Sequence, residues 1–408
     1  MHGFRLTMKS HFKKPSISIV MPCLNEVATL ERCIHKAQRG LQDADIDGEI
    51  IIADNGSTDG SIEIAKRSGA MIVSVLKKGY GHALRGGIEA SSSPWILIGD
   101  SDDSYDFSKL RGFIEKLEEG YDVVSGCRLP SGGGTILRGA MPWKNRWIGN
   151  PSLSWLGKIL FKTQIHDFHC GMKAFTKHAY EFMDLQTTGM EFISEMVIKS
   201  AILKLKMTQT PITLYPDGRG RIPHLKPWRD GWRNLRFMLI YSPQWLFFMP
   251  GLLMSLTGFL VMVKLYVSPI IIQNVMLDTG AMMIAAMALI LGFVLTVFAV
   301  STKIFATLTG LMPEDPSFNK LFNYFHLERG ILLGLFFIVG GGWLIAGACF
   351  KWYQVHFEGL SCAENMRQLI PGVTLTILGI QIMFTSFFLS FLGLKTFKNS
   401  ILHSSSSL

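Results

Sequence analysis

Hydrophobic residues follow two different patterns along the chain. Up to about residue 244, short apolar runs alternate with segments whose apolar residues recur every three or four positions. Beyond residue 244, the apolar runs become long enough to cross a bilayer roughly 30 Å thick. The first pattern is typical of buried strands that alternate with amphipathic helices. The sequence therefore predicts an α/β domain followed by an all-α membrane domain.

The short apolar runs predict five strands. These strands cover residues 16–21, 49–53, 70–75, 95–98 and 122–125. Helices are predicted between them, among them residues 61–67 and a helix that opens with a glycine turn at residue 79. Strands that alternate with helices indicate a doubly wound, mostly parallel sheet. The carboxyl ends of such strands form the edge at which an open α/β sheet binds its ligand.

Four long apolar segments predict membrane-spanning helices. They cover residues 245–267, 281–303, 330–350 and 369–394. The loop at 268–280 has no Lys or Arg, whereas Lys320 and Arg329 lie in the second loop and Lys395 lies in the tail. Because loops rich in Lys and Arg stay in the cytosol, we expect a multi-pass protein with a cytosolic N-terminal domain. If the protein is bacterial, it would lie in the plasma or inner membrane. The spans hold no central pair of charges and are interpreted as an anchor and lipid guide.

These patterns divide the chain into five consecutive parts. They are a tail at 1–15, an α/β domain at 16–216, a basic juxtamembrane segment at 217–244, a four-helix membrane domain at 245–394 and a cytosolic tail at 395–408. The first 14 residues are basic but lack the apolar stretch of a secretory signal. In a reducing compartment the cysteines of the α/β domain are expected to be small packing residues. They are Cys23, Cys33, Cys127 and Cys170.

The positive charge belongs mostly to the N-terminal part of the chain. The net charge of the 408 residues is +9, yet residues 245–408 hold only eight basic and six acidic residues. A basic domain beside membrane spans favours anionic lipid head groups or phosphate substrates. The alternative is a solvated surface that follows the positive-inside rule. No nucleic-acid partner is predicted.

Acidic residues follow two of the predicted strands. Asp100 and Asp102 come directly after the strand at 95–98, and Asp54 follows the strand at 49–53. An Asp-x-Asp at a strand end offers hard oxygen ligands for Mg²⁺ or Mn²⁺ and indicates a metal-bound diphosphate. Asp54 can accept hydrogen bonds from a base or ribose, or it can form a turn and cap a helix. The glycine-rich segment after residue 78 places Leu84 where a dinucleotide-binding motif requires glycine, which argues against an NAD enzyme.

Six short motifs together resemble family 2 glycosyltransferases of the GT-A fold, of the type of dolichyl-phosphate mannose synthase and polyprenyl-phosphate glucosyltransferase. The motifs are 22–26 (PCLNE), 54–60 (DNGSTDG), 78–83 (KGYGHA), 100–102 (DSD), 125–128 (SGCR) and 167–175 (DFHCGMKAF). The resemblance covers about residues 16–245. Mannose synthases usually have Gln-His where this chain has Ser104 and Tyr105. This departure favours a glucosyl-type enzyme.

The resemblance implies a role for each matched residue. Nucleotide binding is implied for Pro22, Asn25, Glu26, Asp54, Lys78, Gly79, Asp100 and Ser101. Asp100 and Asp102 would hold the metal, Mg²⁺ or Mn²⁺. Asp102, Arg128 and Glu191 are expected to be catalytic, with Glu191 facing the sugar or the acceptor. Arg128 and Arg146 would clamp phosphate, because a planar guanidinium suits bidentate contacts.

Residues 217–237 alternate basic residues with tryptophans just before the first predicted span. Such a segment fits an interfacial helix, with rings at head-group depth and basic groups on phosphates. It is either a general membrane anchor or a gate that holds a lipid phosphate against the sugar donor. The candidate residues for the lipid phosphate are Arg146, Arg219, Arg221, His224 and Lys226.

The motifs and the spans together predict a membrane glycosyltransferase. It would move a hexose, with UDP-glucose the favoured donor, to a polyprenyl phosphate (undecaprenyl or dolichyl) at the cytosolic face, with inversion and with a divalent metal. Its partners would be the UDP-hexose, the polyprenyl phosphate and membrane lipid, and a homo-oligomer is left open. One alternative is a processive polysaccharide synthase, although no Gln-x-x-Arg-Trp string occurs. The other is a non-enzymatic lipid-glycan partner with a degenerate transferase domain, which the intact Asp54, Asp100 and Asp102 disfavour.

Overall fold

A computed structural model describes residues 16–219, 227–273, 275–309, 312, 327–356 and 362–405. The chain divides into two compact units. Unit 1 is Met1–Tyr241 and unit 2 is Ser242–Leu408. The α/β pattern of the sequence lies in unit 1, and the long apolar segments lie in unit 2.

Strands and helices alternate in unit 1 as the hydrophobic pattern predicts. The strands are β1 (Ser16–Cys23), β2 (Asp47–Asp54), β3 (Met71–Ser74), β4 (Trp95–Ile98), β5 (Val123–Cys127), β6 (Thr135–Ile136), β7 (Lys173–Thr176), β8 (Met207–Pro211) and β9 (Thr213–Leu214). The helices are α1 (Leu30–Asp43), α2 (Ser61–Arg67), α3 (Tyr80–Glu89), α4 (Arg111–Glu118), α5 (Asn150–Phe161), α6 (Lys177–Met183), α7 (Glu191–Ile202) and α8 (Pro227–Ile240). The five predicted strands are confirmed, and α2 has the predicted bounds.

The main sheet of unit 1 has the strand order β3-β2-β1-β4-β7-β5-β8. β1 runs parallel to β2 and β4, whereas β7 runs antiparallel to β4 and β5. The prediction of a mostly parallel sheet is confirmed, and the fold is the GT-A-like α/β fold. The antiparallel β7 was not predicted, because its four residues include a lysine and form no apolar run.

Helices cover both faces of this sheet. α1 and α4 pack on one face, and α3, α6 and α7 pack on the other. The apolar stripe of α1 recurs at i, i+3, i+4 and i+7, and its members Leu30, Cys33, Ile34 and Ala37 are all buried. Burying one large aliphatic side chain of this kind contributes about 1.5–3 kcal/mol. The four cysteines predicted to be packing residues are buried free thiols.

Unit 2 consists mainly of long apolar helices. Its elements are α9 (Met249–Val267), a hairpin of β10 (Ile270–Ile272) and β11 (Val275–Leu277), α10 (Thr279–Leu308), α11 (Leu327–Gln354) and α12 (Cys362–Ser405). Four segments are long and apolar enough to cross a membrane, namely Gln244–Val267, Thr279–Leu308, Leu327–Gln354 and Ala363–Leu392. These four segments confirm the four predicted spans in length and composition. The hairpin occupies part of a segment that was interpreted as a plain loop.

Glycines bring the helices of unit 2 into backbone contact. A Cβ atom at Gly341 of α11 would lie 2.5 Å from the carbonyl oxygen of Gly372 in α12. A Cβ atom at Gly258 of α9 would lie 2.6 Å from the carbonyl oxygen of Ala285 in α10. Small residues allow this approach, and close approach is what holds helices together in lipid. Gly341 and Gly258 therefore serve the packing of these helices.

Candidate active site

A cavity of about 300 Å³ opens at the carboxyl edge of the sheet, where β1, β2 and β4 end. Its lining consists of Pro22, Cys23, Leu24, Glu26, Asn55, Tyr80, Ala83, Asp100, Ser101, Asp102, Met190 and Arg219. Six of the residues predicted to bind the donor, the metal or the acceptor are therefore brought together there. They are Pro22, Glu26, Asp100, Ser101, Asp102 and Arg219.

A larger groove of about 460 Å³ lies between α4 and β8, away from these acids. Its lining includes Asp106, whose carboxylate accepts hydrogen bonds from the backbone and side chain of Ser108. Convergent acidic groups are found in the smaller cavity and not in this groove, so the smaller cavity is the candidate active site.

Asp102 is fixed by a local turn and by an arginine. Its Oδ1 accepts hydrogen bonds from the Ser104 backbone N–H (3.0 Å) and from the Ser104 hydroxyl (2.5 Å). Its Oδ2 accepts a hydrogen bond from Nη2 of Arg219 at 2.5 Å. The side chain is buried, with 7 % of the residue exposed. Ser104 thus orients Oδ1 of Asp102, and Oδ2 is directed at the guanidinium of Arg219.

Asp100 is held beside Asp102 by a tyrosine. The Tyr80 hydroxyl donates a hydrogen bond to Asp100 Oδ1 at 2.8 Å. Burial and, second to it, the neighbouring Asp102 carboxylate raise the pKa of Asp100 to about 6, against the opposing effects of the Tyr80 hydrogen bond and Arg219. A Cβ atom at residue 171 would lie 2.9 Å from Asp100 Oδ2, so a larger residue there would displace the Asp100 carboxylate. The two carboxylates repel each other, and a bound cation would relieve that repulsion.

The donor set fits a divalent cation that is shared with a diphosphate. Asp100 and Asp102 present hard oxygen atoms in the cavity, as Mg²⁺ and Mn²⁺ require. Within the described ranges, no group of three or more His, Cys, Asp or Glu side chains is arranged to hold a metal by itself. Mg²⁺ is commonly bound by one or two carboxylates together with substrate phosphates and water. The residues present therefore fit such a metal.

Arg219 crosses the cavity between two acids. Its Nη1 donates to Glu26 Oε1 at 3.0 Å and its Nη2 donates to Asp102 Oδ2. Asp217 Oδ2 lies 3.8 Å from the same Nη2 atom. The arginine was predicted to hold a lipid phosphate, and the structure places it on the predicted metal and nucleotide residues. Arg221, His224 and Lys226, the other candidates from this segment, lie outside the described residues.

The turn after β2 uses its polar side chains locally. Both carboxylate oxygens of Asp54 accept backbone N–H groups, from Gly56 at 3.0 Å and from Ser57 at 3.1 Å. Asn25 accepts the N–H of Thr58 at 2.8 Å through its Oδ1 atom and so ties the turn to β1. Asp54 and Asn25 are not among the described residues that line the cavity. The observed contacts of Asp54 are those of a residue that stabilises a turn. Its role in binding the base or ribose stays a prediction.

Asn55, which replaces the second Asp of the family motif, organises the loop before α3. Its Nδ2 donates to the carbonyl oxygens of Val75 (2.9 Å) and Lys77 (2.8 Å), and its Oδ1 accepts the N–H of Gly79 at 2.8 Å. Lys78 in turn donates to the Asn55 carbonyl oxygen at 2.6 Å. The amide supplies two donors that a carboxylate lacks, so the substitution has a structural reason. Lys78 and Gly79 border the cavity residue Asn55 through these bonds.

Arg128 is directed at Asp167 rather than into the cavity. Its Nε and Nη2 donate to the two Asp167 oxygens at 2.7 and 2.9 Å, and its backbone N–H donates at 3.0 Å. Burial alone would lower the pKa of this guanidinium, but Asp167 holds it well above its ordinary value. Arg128 still lowers the pKa of Asp100 through its charge. It acts on the site electrostatically, and its role as a phosphate clamp stays a prediction.

Two further predicted residues also lie outside the described cavity lining. Glu191, at the first turn of α7, accepts a hydrogen bond at 2.6 Å from Nε of Arg233 in α8. Its neighbour Met190 does line the cavity. Arg146 lies over the ring of Trp147, with its guanidinium carbon 5.3 Å from the ring centroid. The structure thus uses Glu191 to hold α8 against α7.

Sequence reasoning missed several residues that shape the site. Tyr80 and Met190 were not singled out, although each stands within or beside a quoted motif. Ser104 and Tyr105 were considered only as departures from a family pattern. Ser104 orients Asp102, and the Tyr105 hydroxyl accepts the N–H of Gly171 at 2.9 Å. Gly171 adjoins Asp100, so both residues support the acids.

Comparisons with known proteins show the family to which the chain belongs. Residues 18–182 match the family described as glycosyl transferase family 2, and residues 300–393 match the glycosyltransferase family 2 C-terminal transmembrane region. The low-salt glycan biosynthesis hexosyltransferase Agl6 of Haloferax volcanii is 34% identical over 384 residues, which cover 93% of this chain and 89% of that protein. The dolichyl-phosphate hexose transferase of the same organism is 32% identical over 176 residues, or 41% of this chain and 73% of that protein.

A solved structure with a similar fold is glucosyl-3-phosphoglycerate synthase from Mycobacterium tuberculosis, in complex with Mn²⁺, UDP and glucosyl-3-phosphoglycerate. It has a TM-score of 0.43 and 22% sequence identity, and the match covers 56% of this chain and 78% of that one.

Proposed function

The chain belongs to glycosyltransferase family 2, and from this membership we propose that it transfers a hexose from UDP-glucose to a polyprenyl phosphate. The protein is a membrane glycosyltransferase, with a family 2 domain followed by a transmembrane region of that family. The observation that carries the proposal is the cavity in which Asp100, Asp102, Glu26 and Arg219 converge at the carboxyl edge of the sheet. The similarity to the dolichyl-phosphate hexose transferase supports the lipid acceptor.

The acids of the cavity would bind the diphosphate end of the donor through a divalent metal. Asp100 and Asp102 would hold Mg²⁺ or Mn²⁺, which when bound offsets negative charge on the UDP leaving group. Tyr80 and Ser104 keep the two carboxylates in position through the hydrogen bonds described above. The turn that contains Asp54 and Asn55 would adjoin the nucleoside.

The transfer itself would need positioning and charge stabilisation more than proton transfer. A phosphate oxygen of the acceptor attacks the anomeric carbon, the bond from that carbon to the UDP oxygen breaks, and the configuration inverts. The acceptor phosphate is already an anion, so a general base contributes little. The pairing of Glu191 with Arg233 is compatible with this mechanism, because it assigns Glu191 a structural contact.

Unit 1 carries surface features suited to anionic lipid. Trp143, Trp147 and Trp155 are each more than 60 % exposed, on and just before α5. Lys144 and Arg146 lie over the first two of these rings, at 6.0 and 5.3 Å from the ring centroids. Exposed tryptophans with adjacent basic groups are typical of surfaces at lipid head-group depth. We therefore propose that unit 1 faces the cytosolic leaflet, where the polyprenyl phosphate would be glycosylated.

The test uses the full-length protein in lipid nanodiscs with a panel of radiolabelled nucleotide sugars. Each donor is incubated with undecaprenyl or dolichyl phosphate and Mg²⁺ or Mn²⁺, and the label in the organic extract is measured and sized by chromatography. The expected product carries one hexose on the lipid. The label in the organic extract should be greatest with UDP-glucose and absent in EDTA. A long labelled polymer would instead indicate a processive synthase. Absence of lipid-linked label with every donor would overturn the proposal.

A further inference from the structure

The positive charge that faces the acids of the cavity is the guanidinium of Arg219. The guanidinium of Arg219 donates to Glu26 Oε1 at 3.0 Å and to Asp102 Oδ2 at 2.5 Å. It lines the cavity, and its side chain is 19 % exposed, so it can be reached from solvent. A planar guanidinium fork matches carboxylate oxygens and phosphate oxygens equally well. The same group could therefore move from an acid to a diphosphate with little loss of hydrogen bonding.

The hydrogen bonds of Asp102 direct Arg219 and a metal to the same oxygen. Oδ1 already accepts two hydrogen bonds from Ser104, at 3.0 and 2.5 Å. Oδ2 is the oxygen directed into the cavity, and Arg219 holds it. A divalent cation that binds Asp102 needs Oδ2, because a ligand oxygen must present a free lone pair. The metal and the guanidinium thus require the same atom.

Electrostatics makes joint occupancy of this oxygen unfavourable. A divalent cation on Asp102 Oδ2 would adjoin the guanidinium that contacts the same oxygen, and like charges repel strongly in a partly buried site. Without a cation, the opposite holds: Asp100, Asp102 and Glu26 would repel one another if Arg219 were absent. The arginine therefore compensates the acidic cluster whenever no metal is bound.

We propose that Arg219 is a placeholder for the divalent metal. It neutralises Glu26 and Asp102 as long as no metal is bound, and it leaves Asp102 when the metal and the nucleotide bind and then contacts the donor diphosphate. This inference rests on the proposed function, since it assumes a metal-bound diphosphate donor. It makes Arg219 a positioning residue that couples metal binding to donor binding, and thermodynamic linkage requires the coupling to be reciprocal.

The test measures Mn²⁺ binding to the full-length protein from the electron paramagnetic resonance signal of free Mn²⁺, without and with UDP. Arg219→Ala is expected to bind Mn²⁺ alone about tenfold more tightly than the wild type, because a competing charge-assisted hydrogen bond is lost. UDP should tighten Mn²⁺ binding more in the wild type than in Arg219→Ala. The matched control is Arg111→Ala, an exposed arginine that pairs with Glu115 on α4 and should leave Mn²⁺ binding unchanged.

Arg219→Lys keeps the charge without the planar fork and is expected to bind Mn²⁺ with intermediate affinity, so the proposal can be judged even where Arg219→Ala does not fold. Wild-type Mn²⁺ affinity in both folded variants, or full transfer by the wild type in EDTA, would overturn the placeholder. The proposed function fails differently. A changed Mn²⁺ affinity in Arg219→Ala, combined with no transfer to any polyprenyl phosphate, would support the placeholder and overturn the acceptor.

Discussion

The two units of the chain bury different kinds of side chain. Unit 1 buries charged residues within and beside its sheet, namely Glu26, Asp54, Asp102, Arg128, Asp167, Lys173, Glu195 and Lys199. In the described part of unit 2, the buried polar side chains are Ser242 and Thr374, and the other buried residues are apolar or small. Large apolar side chains such as Phe336 and Trp343 face outwards there. Among the described residues, the buried charges therefore lie in unit 1.

The difference follows from what surrounds each unit. In water, burial of apolar surface stabilises the sheet and its helices, and it leaves enough free energy to hold paired charges in defined places. In lipid, the surroundings are as apolar as the helix surfaces, so helices gain little from hiding large side chains and associate through close contact of small ones. Substitutions should accordingly affect unit 1 through its charges and unit 2 through its glycines.

The largest effect is expected for Asp102→Asn, which removes charge from the cavity without changing its shape. Transfer should fall roughly 10²–10³-fold, the scale on which a transition-state electrostatic contact acts. The matched control is Asp106→Asn, because Asp106 accepts the same pair of hydrogen bonds from Ser108 but lies in the other groove. Rates are measured as label transferred to lipid. Equal losses in the two variants would show that the turn, and not the site, matters.

Asp167→Asn should cause the next largest effect, on stability. It leaves the guanidinium of Arg128 buried without its bidentate partner, which typically costs about 3–5 kcal/mol. Glu115→Gln on α4 is the control, because its pair with Arg111 is exposed and contributes at most about 1 kcal/mol. Thermal unfolding of unit 1, followed by circular dichroism and hydrogen exchange, provides the measurement. A loss of transfer with unchanged unfolding would instead favour Arg128 as a phosphate clamp.

Local patterns in the sequence predict most of the strands and helices, but they predict few of the contacts between side chains that are distant in the sequence. The five strands, α2 and the four spans follow from runs of apolar residues, and the acids of the cavity follow from their place at strand ends. β7 was missed because four mixed residues make no pattern. The contacts of Arg219 with Asp102 and Glu26 join residues 117 and 193 positions apart, and no local signal marks such partners.

The contact of Glu191 shows the same limit, and the catalytic role expected for this residue stays a prediction. A family motif placed it near the sugar or the acceptor, and it does adjoin the cavity residue Met190. The partner of Glu191 is Arg233, which lies 42 positions away in α8. From the sequence, a basic residue before a membrane span is interpreted as a lipid contact. In the structure, Arg233 instead donates a hydrogen bond to Glu191 within unit 1. Motifs therefore predict where a residue lies better than they predict what it contacts.

Gly341→Leu should break the close helix contact that stabilises unit 2. The new side chain would meet the backbone of Gly372 and Thr376 in α12, and overpacking of this kind costs about 1–3 kcal/mol. Gly340→Leu and Gly342→Leu are matched controls on the same turn of α11, because a Cβ atom at either position meets nothing within 4 Å in the described structure. Thermal stability is measured by size-exclusion chromatography in detergent. Equal losses in all three variants would contradict the glycine contact.

The smallest effect is expected at His169, which makes the stability of unit 1 depend on pH. Both ring nitrogens are buried, and neither has a hydrogen-bond partner among the described residues. Burial lowers its pKa from 6.5 to about 4, against the opposing charge of Asp167. The unfolded chain therefore takes up a proton that the folded unit excludes, and stability falls as the pH drops below 6.5, by about 1 kcal/mol between pH 7 and pH 5.5. His169→Phe should abolish this loss in unit 1 and His166→Phe, which breaks a hydrogen bond to Gln209, should retain it. The free energy of unfolding is measured against pH for the wild type and both variants. The same pH dependence in all three proteins would contradict the role given to His169.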